Sequence, residues 1–411
     1  MTCTDRLSRR LVAAAFVLGV TLASRPARAE EPAPTPSPTP APPKVDVTGF
    51  VDTYYGYNFN RVDPTLRTFD VQHNTFSLSL AEVSFSKGVT PESKVGFRAD
   101  LDFGKTADLV AAYEPGSDGK EIYKHIQQAY VSLLTGKVQW DVGKFVTPMG
   151  AEVLESQDNW NYTRSVLFGY AIPFYHTGIR ATINASAKVT LGAQLVNGWN
   201  NSSEMNGNKT VHVSVTLKPT DKFTWIANYM VGKETEGSNL NRNLFDTTMT
   251  LAASPKLSLM ANFDYGKEGA VKWWGIAPYV KYQATPNWAL VGRYEYLDDA
   301  DGGFMTLLGT KGQTITVTSD HLIAGGLKAR LEYRTDLAKE AFFPKDDGST
   351  SKSQTTLTVG PDLGNPSRTR LIYHPAAGSR ATSDTRGSAP CGTLAGAGFF
   401  QYLGSIRKTH R

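Results

Sequence analysis

The chain of 411 residues has few of the features that mark several large protein classes. Its only two cysteines are Cys3 and Cys391, close to the two ends. The body of the chain therefore has no disulfide framework and no cysteine metal site. Its longest apolar run, residues 11–23, is too short to cross a bilayer as a helix.

Composition and charge exclude further classes. With 40% hydrophobic and 20% charged residues, the chain can bury a core, which excludes collagen, coiled coils and wholesale disorder. Five Arg and one Asp lie in residues 1–29, and six Arg, one Lys and two Asp lie in residues 361–411. The basic excess thus lies in the ends, and it gives no reason to expect a nucleic-acid partner.

The N-terminal residues predict export. Three arginines precede the apolar run, and small residues stand at Ala27 and Ala29, where a signal peptidase reads the chain. We expect a signal peptide over residues 1–29, with a short membrane anchor as the alternative. Residues 30–44 contain seven prolines and are predicted to be an extended spacer.

From residue 45 onward, apolar and polar residues alternate with the period of two that β-strands require. In residues 95–103 the apolar side chains share one face, and three charged side chains share the other. A change of phase between Leu80 and Val83 predicts a β-bulge. The pattern predicts sixteen strands, near 45–59, 72–87, 94–103, 124–135, 138–146, 176–186, 188–199, 209–218, 222–232, 244–253, 256–266, 272–283, 287–297, 313–323, 327–335 and 354–360.

Alternation alone fits a soluble β-sandwich as well as a membrane barrel. Three observations favour an all-β, transmembrane up-and-down antiparallel barrel over residues 45–360. Along the chain, short links alternate with links that are mostly long, as in barrels that have tight turns at one end. Strands of about ten residues, tilted near 40°, span about 25 Å. Aromatic residues lie on the apolar phase, many close to strand ends: Tyr55, Tyr57, Trp140, Trp199, Trp225, Tyr229, Trp274, Tyr282, Trp288 and Tyr294.

Several segments resemble a known family. They are GKFVTPMGAE (143–152), NWNYTRS (159–165), PFYHTG (173–178), VNGWN (196–200), GFVDTYY (49–55) and RLEYR (330–334). Together they resemble the OmpL-like β-barrel porin family of Gram-negative outer membranes. The resemblance covers roughly residues 45–359, implies a porin, and brings no catalytic residues with it.

Ten charged residues share the phase opposite to the apolar one. A basic side chain facing lipid at the bilayer midplane costs about 2–4 kcal/mol, so these residues are predicted to line a wet interior. The alternative is that many of them pair with one another and only stiffen the wall. The predicted pore-lining residues are Arg98, Asp100, Asp102, Asp141, Arg180, Arg293, Glu295, Arg330, Glu332 and Arg334.

The link 147–175 is predicted to constrict the pore. It is long, and it joins charged residues to an apolar run at 166–174, so it can fold inward and pack on the wall. The alternative is an external loop packed against its neighbours. The predicted constriction residues are Glu152, Glu155, Asp158, Asn159 and Arg164.

No motif for catalysis, phosphate binding or metal binding occurs, and no catalytic residue, metal site or cofactor is expected. His176 near Ser165 is a weak candidate pair for a barrel hydrolase. We therefore expect an outer-membrane porin, not an enzyme, that passes small hydrophilic solutes. The alternative is a non-conducting structural or adhesive barrel. The expected partners are outer-membrane lipid, the solutes and the barrel-assembly machinery, and self-association is left open.

The segment 361–411 departs from the family pattern. Pro361 is expected to end the last strand, and the residues after it are rich in Gly, Ser, Arg and Pro without alternation. One interpretation is a shifted reading frame, because codons for residues 361–363 read one base later can spell Leu-Ile-Trp. The other is a natural disordered extension. If the extension is natural, an unpaired edge of the last strand leaves closure of the barrel in question.

Sequencing the gene distinguishes these interpretations of residues 361–411. A shifted frame predicts that reading one base later restores an alternating strand. An uninterrupted frame that is matched in close relatives would contradict it.

Overall fold

The computed structural model describes residues 44–114, 121, 123–299, 309 and 311–364. The predicted signal peptide, nearly all of the spacer, and the chain after residue 364 lie outside these residues. The strands are β1 Asp46–Asn58, β2 Thr75–Lys87, β3 Val95–Phe103, β4 Ile126–Thr135, β5 Val138–Val146, β6 Tyr175–Ser186, β7 Val189–Val196, β8 Thr210–Thr220, β9 Phe223–Gly232, β10 Arg242–Ala252, β11 Leu257–Glu268, β12 Val271–Thr285, β13 Trp288–Asp298, β14 Lys311–Ala324, β15 Leu327–Ala338, β16 Phe343–Pro344, β17 Thr350–Ser351 and β18 Ser353–Gly364.

Sixteen of these strands form one closed antiparallel barrel. Each strand from β1 to β14 pairs with the next, β15 pairs with β18, and β18 pairs with β1. The short strands β16 and β17 form a separate hairpin. The predicted fold class and strand number are confirmed. The expectation that the barrel could fail to close is wrong, because the last strand, β18, pairs with β1.

The two faces of the barrel wall differ as the alternation predicts. Val317, near the middle of β14, is exposed on the outer face, whereas its neighbours Thr316 and Thr318 are fully buried on the inner face. Most of the predicted aromatic residues lie on the outer face, among them Trp140 and Trp288 near the tight turns. Trp199 does not, because it follows β7 and packs on the interior core.

The links sort by length between the two ends of the barrel. The links 136–137, 187–188, 221–222, 286–287 and 325–326 lie at one end and are short. The other end has the longer links, except for the short link 269–270. One of them contains an α-helix, α1 (Lys105–Ala112), which the alternation does not predict. Among the described residues, no helix is both long and apolar enough to cross a membrane.

A bulge is present in β2, but it lies before Leu80 and not between Leu80 and Val83 as predicted. The β1–β2 register shifts between Asp52 and Thr53, which pair with Leu80 and Leu78. Ser79 is therefore the extra residue, and Ser79 and Leu80 are both buried on the inner side. The bulge therefore turns the side chain of Leu80 toward the interior of the barrel.

The expectation that Pro361 ends the last strand is wrong, because β18 continues to Gly364. On the β15 side the pairing is continuous, and Pro361 lies opposite Ala329. On the β1 side the ladder lapses between Asp52 and Tyr55. Proline has no N–H to donate, so one side of the ladder is interrupted while the other carries the strand onward.

Replacing Val317 by Arg tests which medium covers the outer face. We expect the free energy of unfolding to fall by about 2–4 kcal/mol, because Val317 lies near mid-strand and would carry a charge into hydrocarbon. The measurement is urea unfolding in lipid vesicles, with Val317→Leu as a control expected to stay close to wild type. A loss for Val317→Arg as small as the control's would place this face outside the bilayer core.

Candidate functional site: the barrel interior

The link between β5 and β6 enters the barrel. We call residues 147–174 the inner loop. The Tyr162 hydroxyl donates to Asp52 Oδ1 on β1 at 2.9 Å. The Ala151 N–H donates to Asn262 Oδ1 on β11 at 3.2 Å. Both partners face inward and lie on distant strands of the closed wall, so the inner loop crosses the interior between them.

Arg293 of β13 joins the wall to the inner loop. Its Nη1 lies 2.7 Å from Glu152 Oε1 and donates to Thr163 O, also at 2.7 Å. Its Nε lies 3.1 Å from Glu295 Oε1 on the same strand. Nη2 is 3.2 Å from Thr316 Oγ1 on β14. The guanidinium is fully buried, so the two carboxylates compensate its lost hydration.

Glu332 of β15 accepts two backbone N–H groups of the inner loop. Its Oε2 accepts from the Tyr162 N–H at 2.7 Å, and its Oε1 from the Thr163 N–H at 3.0 Å. The Thr318 hydroxyl also donates to Oε2, at 2.7 Å. Since an unsatisfied buried amide costs about 1–3 kcal/mol, this carboxylate fixes the loop in place.

Two further arginines of β15 hold inner-loop carbonyl groups. Arg330 donates to Ser156 O and, at 2.9 Å, to Asn159 O. Arg334 donates through Nη1 to Arg164 O at 2.7 Å. The wall therefore presents both carboxylates to loop amides and guanidinium groups to loop carbonyls.

The loop between β1 and β2 joins the same network. Arg67 lies 2.7 Å from Asp70 and, through Nη2, 2.8 Å from Asp336 Oδ2 on β15. Arg334 Nε lies 2.8 Å from the other oxygen of Asp336. Asp336 thus ties a second loop to the wall beside the inner loop, although Arg67 and Asp70 carried no sequence signal for this role.

The apolar run of the inner loop builds a core inside the barrel. Its π-helical turn Leu167–Ala171 packs on β11 and β12. Trp273 is fully buried there and donates to Ala171 O at 3.2 Å. The core consists of Phe69, Met149, Ala151, Leu154, Val166, Leu167, Phe168, Ala171, Ile172, Phe174, Tyr175, Met230, Leu244, Met260, Trp273, Ala277, Tyr279 and Leu297.

The predicted constriction residues mostly brace the inner loop itself. Asn159 Oδ1 accepts from the Val153 N–H at 2.9 Å, and Arg164 Nη1 donates to Tyr162 O at 2.7 Å. Glu155 is fully buried, Glu152 pairs with Arg293 as above, and Asp158 is half-buried.

The predicted pore-lining residues on β3 to β6 lie on the inner side and are also paired. Arg180 Nη2 is 2.8 Å from Asp141 Oδ2, and its guanidinium lies 4.4 Å from the centre of the Phe145 ring. Arg98 Nε is 2.7 Å from Asp100 Oδ2. Asp102 is buried nearby, and Arg98 is the only one of the ten predicted residues that is not buried. Contact of these residues with a solute stays a prediction.

Wall residues without a marked sequence signal also hold the inner loop. Asp52 lies in an ordinary alternating strand, and its inward phase is the signal that could have identified it as a partner of the loop. Burial raises the pKa of the Tyr162 phenol well above its usual range, and the neighbouring Asp52 carboxylate adds to this. The phenol therefore stays protonated and donates to Asp52.

The candidate hydrolase pair is not in contact. The ring nitrogens of His176 lie 3.0 Å from Gly198 O and 3.2 Å from Thr147 Oγ1. Ser165 Oγ instead accepts from the Phe168 N–H at 3.0 Å. A nucleophile needs its base within hydrogen-bond reach, so this geometry gives the hydrolase hypothesis no support. Among the described residues, no cluster of side chains fits a metal ion.

Comparisons with known proteins agree with this architecture. Residues 44–361 match the family described as "Putative beta-barrel porin-2, OmpL-like". OmpT of Vibrio cholerae, in its trimer form, is similar at 10% identity and TM-score 0.52, over 78% of this chain and 99% of that one. The outer membrane channel DcaP of Acinetobacter baumannii gives 12% identity and TM-score 0.53, over 78% and 96%. An anion-selective porin from Comamonas acidovorans gives 12% identity and TM-score 0.55, over 78% and 99%. No functionally curated protein matches this sequence.

A closed sixteen-strand barrel with an apolar outer face and a charged interior, whose sequence matches an OmpL-like porin family over residues 44–361, is a transmembrane porin of the Gram-negative outer membrane. Because the family model matches most of the sequence, the chain belongs to the OmpL-like β-barrel porin family.

Replacing Arg293 by Met tests the charged anchor of the inner loop. Glu152 and Glu295 would stay buried without their guanidinium, so we expect the free energy of unfolding to fall by about 3–5 kcal/mol. Hydrogen exchange at the backbone amides of 162–166 should accelerate. Both are measured in lipid vesicles.

The control for Arg293→Met is the triple variant Arg293→Met/Glu152→Gln/Glu295→Gln. It removes all three charges and keeps amide oxygens as acceptors, so it should recover most of the lost stability. If Arg293→Met alone matched wild type in both measurements, Arg293 would not anchor the loop.

Proposed function

We propose that this porin lets small hydrophilic solutes diffuse passively across the outer membrane, along an aqueous path that the inner loop narrows. The observation that carries the proposal is the attachment of the inner loop to inward-facing charges such as Arg293 and Glu332. A barrel of about sixteen strands leaves room for an aqueous channel. A loop fixed across that space sets the free cross-section.

The filter follows from the same contacts. Size selection comes from the inner loop, and charge selection comes from the side chains that remain beside the path. Both signs occur among the predicted pore-lining residues, for example Arg98 and Asp100 on β3. Passage then needs no cofactor and no chemical step.

A second candidate is a structural barrel that does not conduct. The observation that favours it is burial, because nine of the ten predicted pore-lining residues are buried. A loop that fills the interior completely would give this result, and so would a narrow path along part of the wall. Channel measurements separate the two.

The relatives also bear on assembly. OmpT of Vibrio cholerae is described in a trimer form. We extend self-association to this chain as part of the proposal, since the fold is shared.

Replacing Leu167 by Asp tests whether the inner loop narrows the path. Leu167 is fully buried and packs closely on Gly275, where an added Cβ would lie 2.3 Å from its Cδ2. A carboxylate cannot remain in this apolar core, so the π-helical turn should leave the wall. We expect a larger single-channel conductance in planar bilayers with potassium chloride, and swelling of liposomes by larger sugars.

The matched control is Leu167→Met, which keeps an apolar side chain of similar size and should conduct like wild type. Folded wild type that never opens channels would support the structural barrel instead. A Leu167→Asp variant with unchanged conductance would remove the inner loop from the filter.

A further inference from the structure

Four lysines lie together at the mouth of the barrel, at the end with the short links. The Lys218 N–H donates to Lys188 O at 2.8 Å, so the β7–β8 ladder reaches both residues and places them directly opposite each other. Lys222 and Lys256 belong to the ladder in the same way, since the carbonyl of each accepts an N–H of the next strand at 2.8 Å. We call Lys188, Lys218, Lys222 and Lys256 the lysine arc.

The alternation of the strands turns the lysine arc toward the interior. Lys218 lies two residues after Thr216, which is buried on the inner face of β8. Lys188 has the same orientation, because directly opposed residues of a ladder share a face. Lys222 and Lys256 each lie an even number of residues before the inward side chains of β9 and β11. Lys218 is half-buried and the other three are exposed, so these charges stand at the rim in contact with water.

The positive charge of the lysine arc is not neutralised by contacts within the described residues. The lysines that form ion pairs there lie elsewhere, and none is a member of the arc. Asp221 is the one carboxylate in the links 187–188, 221–222 and 253–256, against four ammonium groups. Across the mouth the carboxylates do have a cation, because Asp320 and Asp362 lie 3.3 and 3.6 Å from Arg330. One side of the mouth therefore carries an excess of positive charge.

Lys281 of β12 continues this positive side toward the inner loop. It lies two residues after Tyr279, which is buried on the inner face. Its Nζ is 6.0 Å from the centre of the Trp160 ring in the inner loop. Asp320 is the carboxylate that attracts Lys281, but it is already paired with Arg330. The positive side thus runs from the rim to the segment that narrows the path.

We propose that the lysine arc makes this porin anion-selective, by concentrating small anions at the mouth and repelling cations. The inference deepens the proposed function and rests on it, because selection requires passage. Fixed charge of one sign at the entrance of a low-dielectric wall raises the local concentration of the opposite ion. The paired charges farther inside largely cancel one another, so the unpaired lysines determine the sign of the preference.

The test is the reversal potential of the channel in planar bilayers that separate two concentrations of potassium chloride. Potassium and chloride have nearly equal mobilities, so this potential reports the selectivity of the protein. We expect wild type to favour chloride. The fourfold variant Lys188→Gln/Lys218→Gln/Lys222→Gln/Lys256→Gln should lower the chloride-to-potassium permeability ratio by a factor of about three or more.

The chain offers a matched control for the opposed pair of the arc. Lys267 and Lys272 also lie directly opposite each other, but they are exposed on the outward phase of β11 and β12 near the other end. Lys188→Gln/Lys218→Gln should lower the permeability ratio, whereas Lys267→Gln/Lys272→Gln removes the same charge and should behave like wild type. This comparison also decides the question if the fourfold variant does not fold.

Salt concentration gives a second readout. The Debye length falls from about 10 Å at 0.1 M salt to about 3 Å at 1 M, so a preference set by exposed lysines should weaken between these concentrations. A preference that stayed constant would place its origin in the narrow part of the path and would overturn the role of the lysine arc.

Failure of the selectivity and failure of the proposed function give different results. Wild type that conducts without preferring chloride would overturn the selectivity alone, and so would a fourfold variant that keeps the wild-type ratio. Wild type that never conducts would overturn the proposed function, and the selectivity with it.

Discussion

Closure of the hydrogen-bond ladder between β1 and β18 is the constraint on which the other features depend. In hydrocarbon an unpaired strand edge leaves a row of N–H and C=O groups without partners, and each costs several kcal/mol. The barrel meets this requirement even at Pro361, where the β15 side of β18 stays paired while the β1 side lapses. Once the ring is closed, each strand has one face toward lipid and one face toward the interior.

The interior then has its own electrostatic problem. Charges excluded from the lipid side are collected inside, where burial removes their hydration. The inner loop compensates these buried charges with its backbone N–H and C=O groups as much as with its side chains. Glu332 binds two loop N–H groups, and Arg330 binds loop carbonyls. Arg293 and Glu152, which are 141 positions apart in the chain, form one of the buried ion pairs.

The sequence predicts the barrel well because alternation directly reports which face a strand residue occupies. It predicts the phase of Asp100 and the bulge near Leu80 for the same reason. It does not predict what fills the interior, because the same inward phase serves water, a charged partner or an apolar core. Met230 and Leu244 interrupt the polar phase and could have indicated the core, whereas the partner of Arg293 depends on how the loop folds.

Two kinds of contact hold the inner loop, and together they determine how rigidly the loop is fixed to the wall. Glu152 is held by a guanidinium, and Leu167 is held by an apolar wall. Displacement of the loop would expose apolar surface to water and leave buried charges without partners at the same time. Each penalty is of the order of several kcal/mol. A loop held by both kinds of contact is rigidly fixed to the wall, so in the proposed function its resting position sets the size limit and no gating is required.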